Sequence, residues 1–369
     1  MKTRIALRRF SLSVLVFVLG GLGALGHPLD TWHVRHSGAD TLNGVSYGAG
    51  LFVAVGGNGT LLTSPTGESW TPQNIGTNAS LNDVTCGNGT FVVVGANGLI
   101  LTSPNGTNWT VEGSGVGSRL LSVAFQNGLF VTTGESGALL TSKDGHTWAS
   151  RAAGASFSPW FIASGNGLFL LEGTAGTNLL SADGTNWFQR PSGSDTGLYT
   201  VGFGSGRFVS IDIRNRAYIS TDGSNWVTGG AVTLVRPSQI AYGNGHFVTG
   251  GGGSLEYSPS GMDWTVSPTG YLYVTWDVAF GNGTFVAVGS GGMIKQSDPV
   301  VHLQASEPGS LDISGPSGAG CSIQSRDTLM PGDDWITLTN FTLMSNPHRW
   351  TDPERSQHGS RLYRVAIPQ

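Results

Sequence analysis

The sequence predicts an all-β chain: a seven-bladed β-propeller closed by its N-terminal strand, followed by a small C-terminal β-sandwich. Three observations carry that expectation. The skeleton Ser-x-x-Gly-x-x-Trp occurs six times, with its tryptophans 39, 39, 39, 39 and 38 residues apart. Each repeat splits into four short apolar runs divided by glycine turns. A seventh repeat breaks off before its last run, while Trp32 stands 38 residues ahead of Trp70, in period with the rest.

A period near 40 residues with strand-like content is the signature of a propeller, in which each repeat is one four-stranded sheet. The unit is plainest in 120-LLSVAFQNGLFVTTGESGALLTSKDGHTWAS-150, where LLSVAF, LFVTTG, ALLTS and HTWAS are strands and QNG, ESG and KDG are turns. The first strands carry Val45, Val84, Val123, Ile162, Val201, Ile240 and Val278 at the matching place. The second strands open after Asn-Gly or its equivalent, the strongest short hairpin signal. The seventh repeat, 276-WDVAFGNGTFVAVGSGGMIKQS-297, ends at Asp298-Pro299 without its tryptophan strand. The segment 31-TWHVR-35 supplies that strand and closes the ring, which hides every sheet edge.

The six motif copies are SPTGESW (64–70), SPNGTNW (103–109), SKDGHTW (142–148), SADGTNW (181–187), STDGSNW (220–226) and SPSGMDW (258–264). Their glycine lets the turn take φ > 0, and their Ser and Asp side chains are placed to bond turn backbone. Each tryptophan is expected to bury its ring between adjacent blades. Over residues 30–298 these copies resemble the Asp-box, or BNR, repeat of sialidase-like and photosystem II assembly-factor-like propellers. From about residue 299 the period stops, and 310-SLDISGP-316, 320-GCSIQSR-326, 335-WITLTNFTL-343 and 361-RLYRVAIP-368 read as sandwich strands. Their order resembles a C-terminal module of exported planctomycete- and verrucomicrobia-type bacterial proteins, which implies a bacterial exported protein.

The N-terminus fits export. Lys2, Arg4, Arg8 and Arg9 precede the apolar run 10-FSLSVLVFVLGGLGAL-25 and a small-residue cleavage site before His27, the order of a secretory signal peptide. The expected division is therefore a signal peptide over 1–26, a propeller over 27–298 and a sandwich module over 299–369. The two cysteines, Cys86 and Cys321, form no disulfide framework and read as free thiols.

Composition narrows the function. The chain holds 58 glycines in turns, a formal net charge of −4 and only three lysines, which offers no footprint for nucleic acid. No later stretch is apolar enough to span a membrane. The histidines show no metal-binding spacing, no motif points to a cofactor, and no nucleophile elbow has triad partners in view. A sialidase would need an arginine cluster gripping a carboxylate, and the arginines here are few and uneven.

What remains is departure from the repeat. Most connections between second and third strands are bland glycine turns, but blade 5 reads 211-IDIRNRAYIS-220, with Asp212, Arg214 and Arg216. Neighbouring connections add Trp160, Glu172, Tyr199, Arg236, Tyr271, Tyr273 and Trp276. Aromatics with a few Arg and acid groups on one rim suit stacking and hydrogen bonding to a glycan or a protein partner. The expected function is a non-catalytic exported binding propeller. One alternative is a glycoside hydrolase or lyase using Glu172, Asp212 or Asp277, and the other is a structural part of a cell-envelope assembly.

Overall fold

The computed structural model describes residues 16–18, 27–152, 161–172, 177–268, 274–300, 302–307, 310–315, 320–326, 336–344, 347–353 and 362–366. The chain divides into two compact units, Pro28–Asp298 and a second made of Met1–His27 with Pro299–Gln369.

Pro28–Asp298 is a seven-bladed propeller of four-stranded antiparallel sheets. Blades 1 to 6 occupy residues 42–72, 81–112, 120–150, 162–191, 198–231 and 241–267. Blade 7 combines 275–297 with Trp32–His36, whose strand pairs antiparallel with Ile294–Ser297, Trp32 opposite Ser297 and Val34 opposite Lys295. Ring closure by the N-terminal strand is thus as the spacing of Trp32 demands. Trp32 is buried and donates its indole N–H to the Leu29 carbonyl at 3.0 Å.

The hairpins obey their residues. Asn88-Gly89 has φ of 48° and 77° and Asn282-Gly283 has 46° and 73°, the double left-handed geometry that a two-residue turn of this kind needs. Each second strand buries one phenylalanine, Phe52, Phe91, Phe130, Phe169, Phe208, Phe247 or Phe285. These rings anchor the apolar seams between neighbouring blades, as where Phe52, Leu42 and Leu62 meet Val286, Val288 and Ile294 of blade 7.

One glycine position shows how closely the blades approach. A Cβ on Gly281 would lie 2.0 Å from the Tyr47 ring of blade 1, and one on Gly165 would lie 2.0 Å from the Phe203 ring of blade 5. Where blade 3 carries Gln126 instead, the facing residue of blade 4 shrinks to Ser164, whose hydroxyl donates to the Phe125 carbonyl at 3.2 Å. The two substitutions offset each other in volume.

The motif turn works as the sequence implies, with one refinement. Ser142 Oγ accepts the Gly145 N–H at 2.8 Å, and Asp144 Oδ1 accepts the His146 and Thr147 N–H groups at 2.9 and 2.8 Å. Those bonds hold the Asp144 carboxyl down at about 2. The motif tryptophans are half-buried, packed at the outer end of an inter-blade seam, with each indole N–H donating to the motif glycine carbonyl. They are clasps at the seam's edge.

The second unit has one four-stranded sheet, of Val16–Val18, Leu362–Ala366, Gly320–Arg326 and Ile336–Thr342, and one three-stranded sheet, of His302–Glu307, Ser310–Ser314 and His348–Thr351. Leu311 and Ile313 of one sheet share a single apolar cluster with Cys321, Ile323, Tyr363 and Val365 of the other, the packing of a sandwich. Val16–Val18, inside the expected signal peptide, pairs parallel with Leu362–Ala366. Cys86 and Cys321 are not joined in a disulfide.

Candidate functional site

The connections from second to third strand and from fourth to first strand share one face of the propeller. The Val232 N–H donates to the Asn215 carbonyl at 2.7 Å, the Gly252 N–H to the Val235 carbonyl at 2.8 Å, and the Thr275 N–H to the Gly251 carbonyl at 3.0 Å. This face carries every described member of the expected rim. Trp160, Tyr271 and Tyr273 lie outside the described residues.

Glu172 and Asp212 do not reach solvent, contrary to their expected place as ligand-contacting rim groups. Asp212 is fully buried and acts as the anchor of its turn. Its Oδ1 accepts the Arg214 and Arg216 N–H groups, both at 2.9 Å, and its Oδ2 accepts hydroxyl bonds from Ser194, Thr196 and Tyr218 at 3.2, 3.3 and 3.1 Å. Asp212 occupies the strand-ending place that glycine fills in blades 1, 2, 3 and 7, so a side-chain acceptor here replaces the bland turn. The Arg214 guanidinium therefore pairs elsewhere, with Asp195 at 2.8 Å on an exposed site. An Asp212 ion pair with Arg214 or Arg216 is excluded, because the aspartate turns inward to satisfy backbone.

Glu172 lies in the seam between blades 4 and 5, 3 % exposed. Its Oε1 accepts the Ser210 hydroxyl at 2.6 Å. Burial pushes its carboxyl up to about 8, partly offset by the Ser210 bond. Tyr199 is half-buried, its ring edge-on to Phe161. Trp276 is about one-third exposed, with its indole N–H on Ser290 Oγ at 3.2 Å.

The exposed remainder of the rim falls on the blade 5 turn and on the connection from blade 5 to blade 6. Arg214, Arg216 and Arg236 are exposed, and the apolar Ile213 and Val235 beside them are 62 % and 65 % exposed. Arg236 has φ +53°, a left-handed backbone that a long side chain rarely adopts outside constrained sites. Sequence reading found the arginines and missed Ile213 and Val235. An isolated apolar residue in a loop carries no periodic signal of exposure.

The central channel holds a second arrangement, half missed by sequence. A cavity of about 280 Å³ is lined by the seven first strands. Two buried carboxyls stand in it, Asp83 of blade 2 and Asp277 of blade 7. Asp83 accepts the Val84 N–H at 2.7 Å and the Val123 N–H at 2.8 Å, bridging blades 2 and 3. Asp277 accepts the Val278 and Val45 N–H groups at 2.7 and 2.8 Å, bridging blades 7 and 1. Desolvation pushes Asp83 up to about 6 and raises Asp277 well above the carboxylate range, the nearby Asp83 charge adding to it. Both acids clamp blades together, and each carboxyl oxygen already serves strand backbone. The signal was available: they precede the channel-lining valine, at the place held by Gly44, Ser122, Phe161, Thr200 and Gln239 in the other repeats.

Among the described residues no three His, Cys, Asp or Glu side chains gather as a metal site would require. No described helix is long and apolar enough to cross a membrane.

Comparison with known proteins agrees on the fold. The family described as "DUF6242 beta propeller domain" matches residues 31–159. No curated protein matches. Among solved structures, the chain is similar to YCF48 bound to a D1 peptide, at TM-score 0.61 and 17% identity, covering 76% of this chain and 97% of that one. It is also similar to virginiamycin B lyase from Staphylococcus aureus, at TM-score 0.65 and 12% identity over 73% and 99% of the two chains. The WD40 propeller domain of Doa1 matches at TM-score 0.59 and 16% identity, over 72% and 95%. At these identities the likeness establishes a β-propeller and leaves activity to be argued from the site.

Proposed function

We propose that the chain is a non-catalytic binding propeller whose blade 5–6 rim recognises a protein segment carrying carboxylates beside an apolar side chain. The observation that carries this reading is the exposed set Arg214, Arg216 and Arg236 with Ile213 and Val235, where most other blades have short glycine turns between second and third strands. Guanidinium groups pair with carboxylates through fixed forks, and the two aliphatic side chains offer a dry contact between them. A glycan is served less well, since no described aromatic stands fully open on this rim. A propeller of similar fold is known with a bound peptide, which supports the choice of partner class.

Catalysis is disfavoured by the carboxyls themselves. Glu172, Asp212, Asp83 and Asp277 are all buried and engaged with hydroxyls or backbone. A glycosidase needs two carboxyls open to substrate across a gap of about 5–10 Å. The Asp-box kinship of the six motif turns, and export guided by residues 1–26, belong to the same reading. Export is supported by the basic-then-apolar order of the N-terminus, and the measured N-terminus of the exported chain tests it.

The test of the rim is binding of the full chain to an array of acidic-apolar peptides and of glycans. Arg214→Ala with Arg236→Ala should weaken peptide binding by at least tenfold, and Ile213→Ser with Val235→Ser by a similar factor. Equal binding by wild type and both double variants would discard the rim. Binding to glycans alone would move the reading to carbohydrate recognition.

A further inference from the structure

The seam between blades 4 and 5 ends in a polar pair that no other described blade carries at the same register. The last facing pair before each second-to-third turn is Val55–Leu61 in blade 1, Val94–Ile100 in blade 2, Thr133–Leu139 in blade 3, Ile211–Ala217 in blade 5, Gly250–Leu255 in blade 6 and Val288–Ile294 in blade 7. Blade 4 alone places two fully polar residues there, Glu172 opposite Asn178. Both are buried, at 3 % and 0 % exposure. Glu172 Oε2, Asn178 Oδ1 and Asn178 Nδ2 have no hydrogen-bond partner among the described residues. Native interiors rarely leave three such atoms unsatisfied in one place.

We propose that this seam is a binding site for internal water, one or two molecules held between Glu172 and Asn178. The donor set selects water over a cation. The side chains present two free oxygens and an N–H₂ group, and the Ser210 hydroxyl is already committed to Glu172 Oε1 and the Thr200 carbonyl, both at 2.6 Å. Calcium takes six to eight oxygens and magnesium a near-octahedral set, and these two side chains offer only two free oxygens. Water accepts from the Asn178 amide and exchanges hydrogen bonds with the Glu172 carboxyl, satisfying what the protein leaves open. Desolvation in a seam that is apolar elsewhere, among Leu170, Leu180, Val201 and Phe208, keeps Glu172 a neutral acid against the opposing pull of the Ser210 bond, and the guest takes the hydrogen bond left open on its Oε2.

The experiment counts long-lived internal waters by oxygen-17 magnetic relaxation dispersion in the full chain and in the double variant Glu172→Val/Asn178→Leu, which copies the blade 1 pair. The double variant should fold with unchanged or higher Tm and lose at least one long-lived water. Equal counts in two folded proteins overturn the proposal. A crystal structure of the wild type gives a readout independent of the variant's folding. Density within about 3.2 Å of Glu172 Oε2, refining as water, supports the site, and its absence overturns it. A wild-type Tm that rises several degrees with added potassium or calcium, and does not do so in Glu172→Gln, overturns it in favour of a cation.

Discussion

Glu172 gives the molecule a pH dependence that can be worked out at the scale of one carboxyl. Burial raises its folded value from 4.5 to about 8, so between those limits the folded chain keeps a proton that the unfolded chain has released. The stability tied to that proton is complete below pH 4.5 and is lost as pH rises through 8. The loss is on the order of a few kcal/mol, at about 1.4 kcal/mol per pH unit of displacement. Asp83, raised to about 6 by desolvation, acts in the same sense over a lower window. The motif aspartates act oppositely: Asp144 is held at about 2 by backbone N–H groups, so its contribution fades as pH falls below the usual carboxylate range. Unfolding by urea at pH 5, 7 and 9 should show stability falling toward alkaline pH, and Glu172→Gln should flatten the part of that fall above pH 6. An unchanged slope in the variant would assign the fall to other groups. The acid at 172 was legible as an interruption of the repeat, but its burial was not. One residue's position at a strand end says nothing about which seam the side chain enters.

At the scale of the element, the strand Trp32–His36 carries the closure of the ring. It gives the last blade its outer strand, and Trp32 fills the place that a motif tryptophan holds in the other blades. Trp32→Ala removes a buried indole together with its bond to the Leu29 carbonyl, at an expected cost of about 3–5 kcal/mol. Thermal unfolding of the variant measures it, and a loss below about 1 kcal/mol would mean that the strand is held by its backbone ladder alone. The contrast with the channel clamps is instructive. Trp32 was found from sequence because it keeps the period of six other tryptophans. Asp83 was missed because its role depends on a neighbour 40 residues away, the Val123 N–H, which only the ring brings within 2.8 Å.

Across the whole molecule, export and recognition are separable claims. If residues 1–26 direct export, mass spectrometry of the protein released by its host should give a mature chain beginning at or near His27. A chain retaining Met1 would remove that expectation and leave the propeller untouched, since the closing strand begins only at Trp32. The amino-acid sequence by itself determined the number of blades, the four-stranded unit, the turns and the strand that closes the circle. These depend on local geometry and on a period that repetition writes out many times. Only the tertiary structure decided that Glu172 and Asp212 face inward, that Arg214 pairs with Asp195, and that Ile213 and Val235 stand open beside three arginines. The physical reason is that a side chain's environment in a ring is set by the adjoining blade. There burial, volume and unsatisfied backbone groups choose its partner, and one chain read in order contains no measure of that proximity.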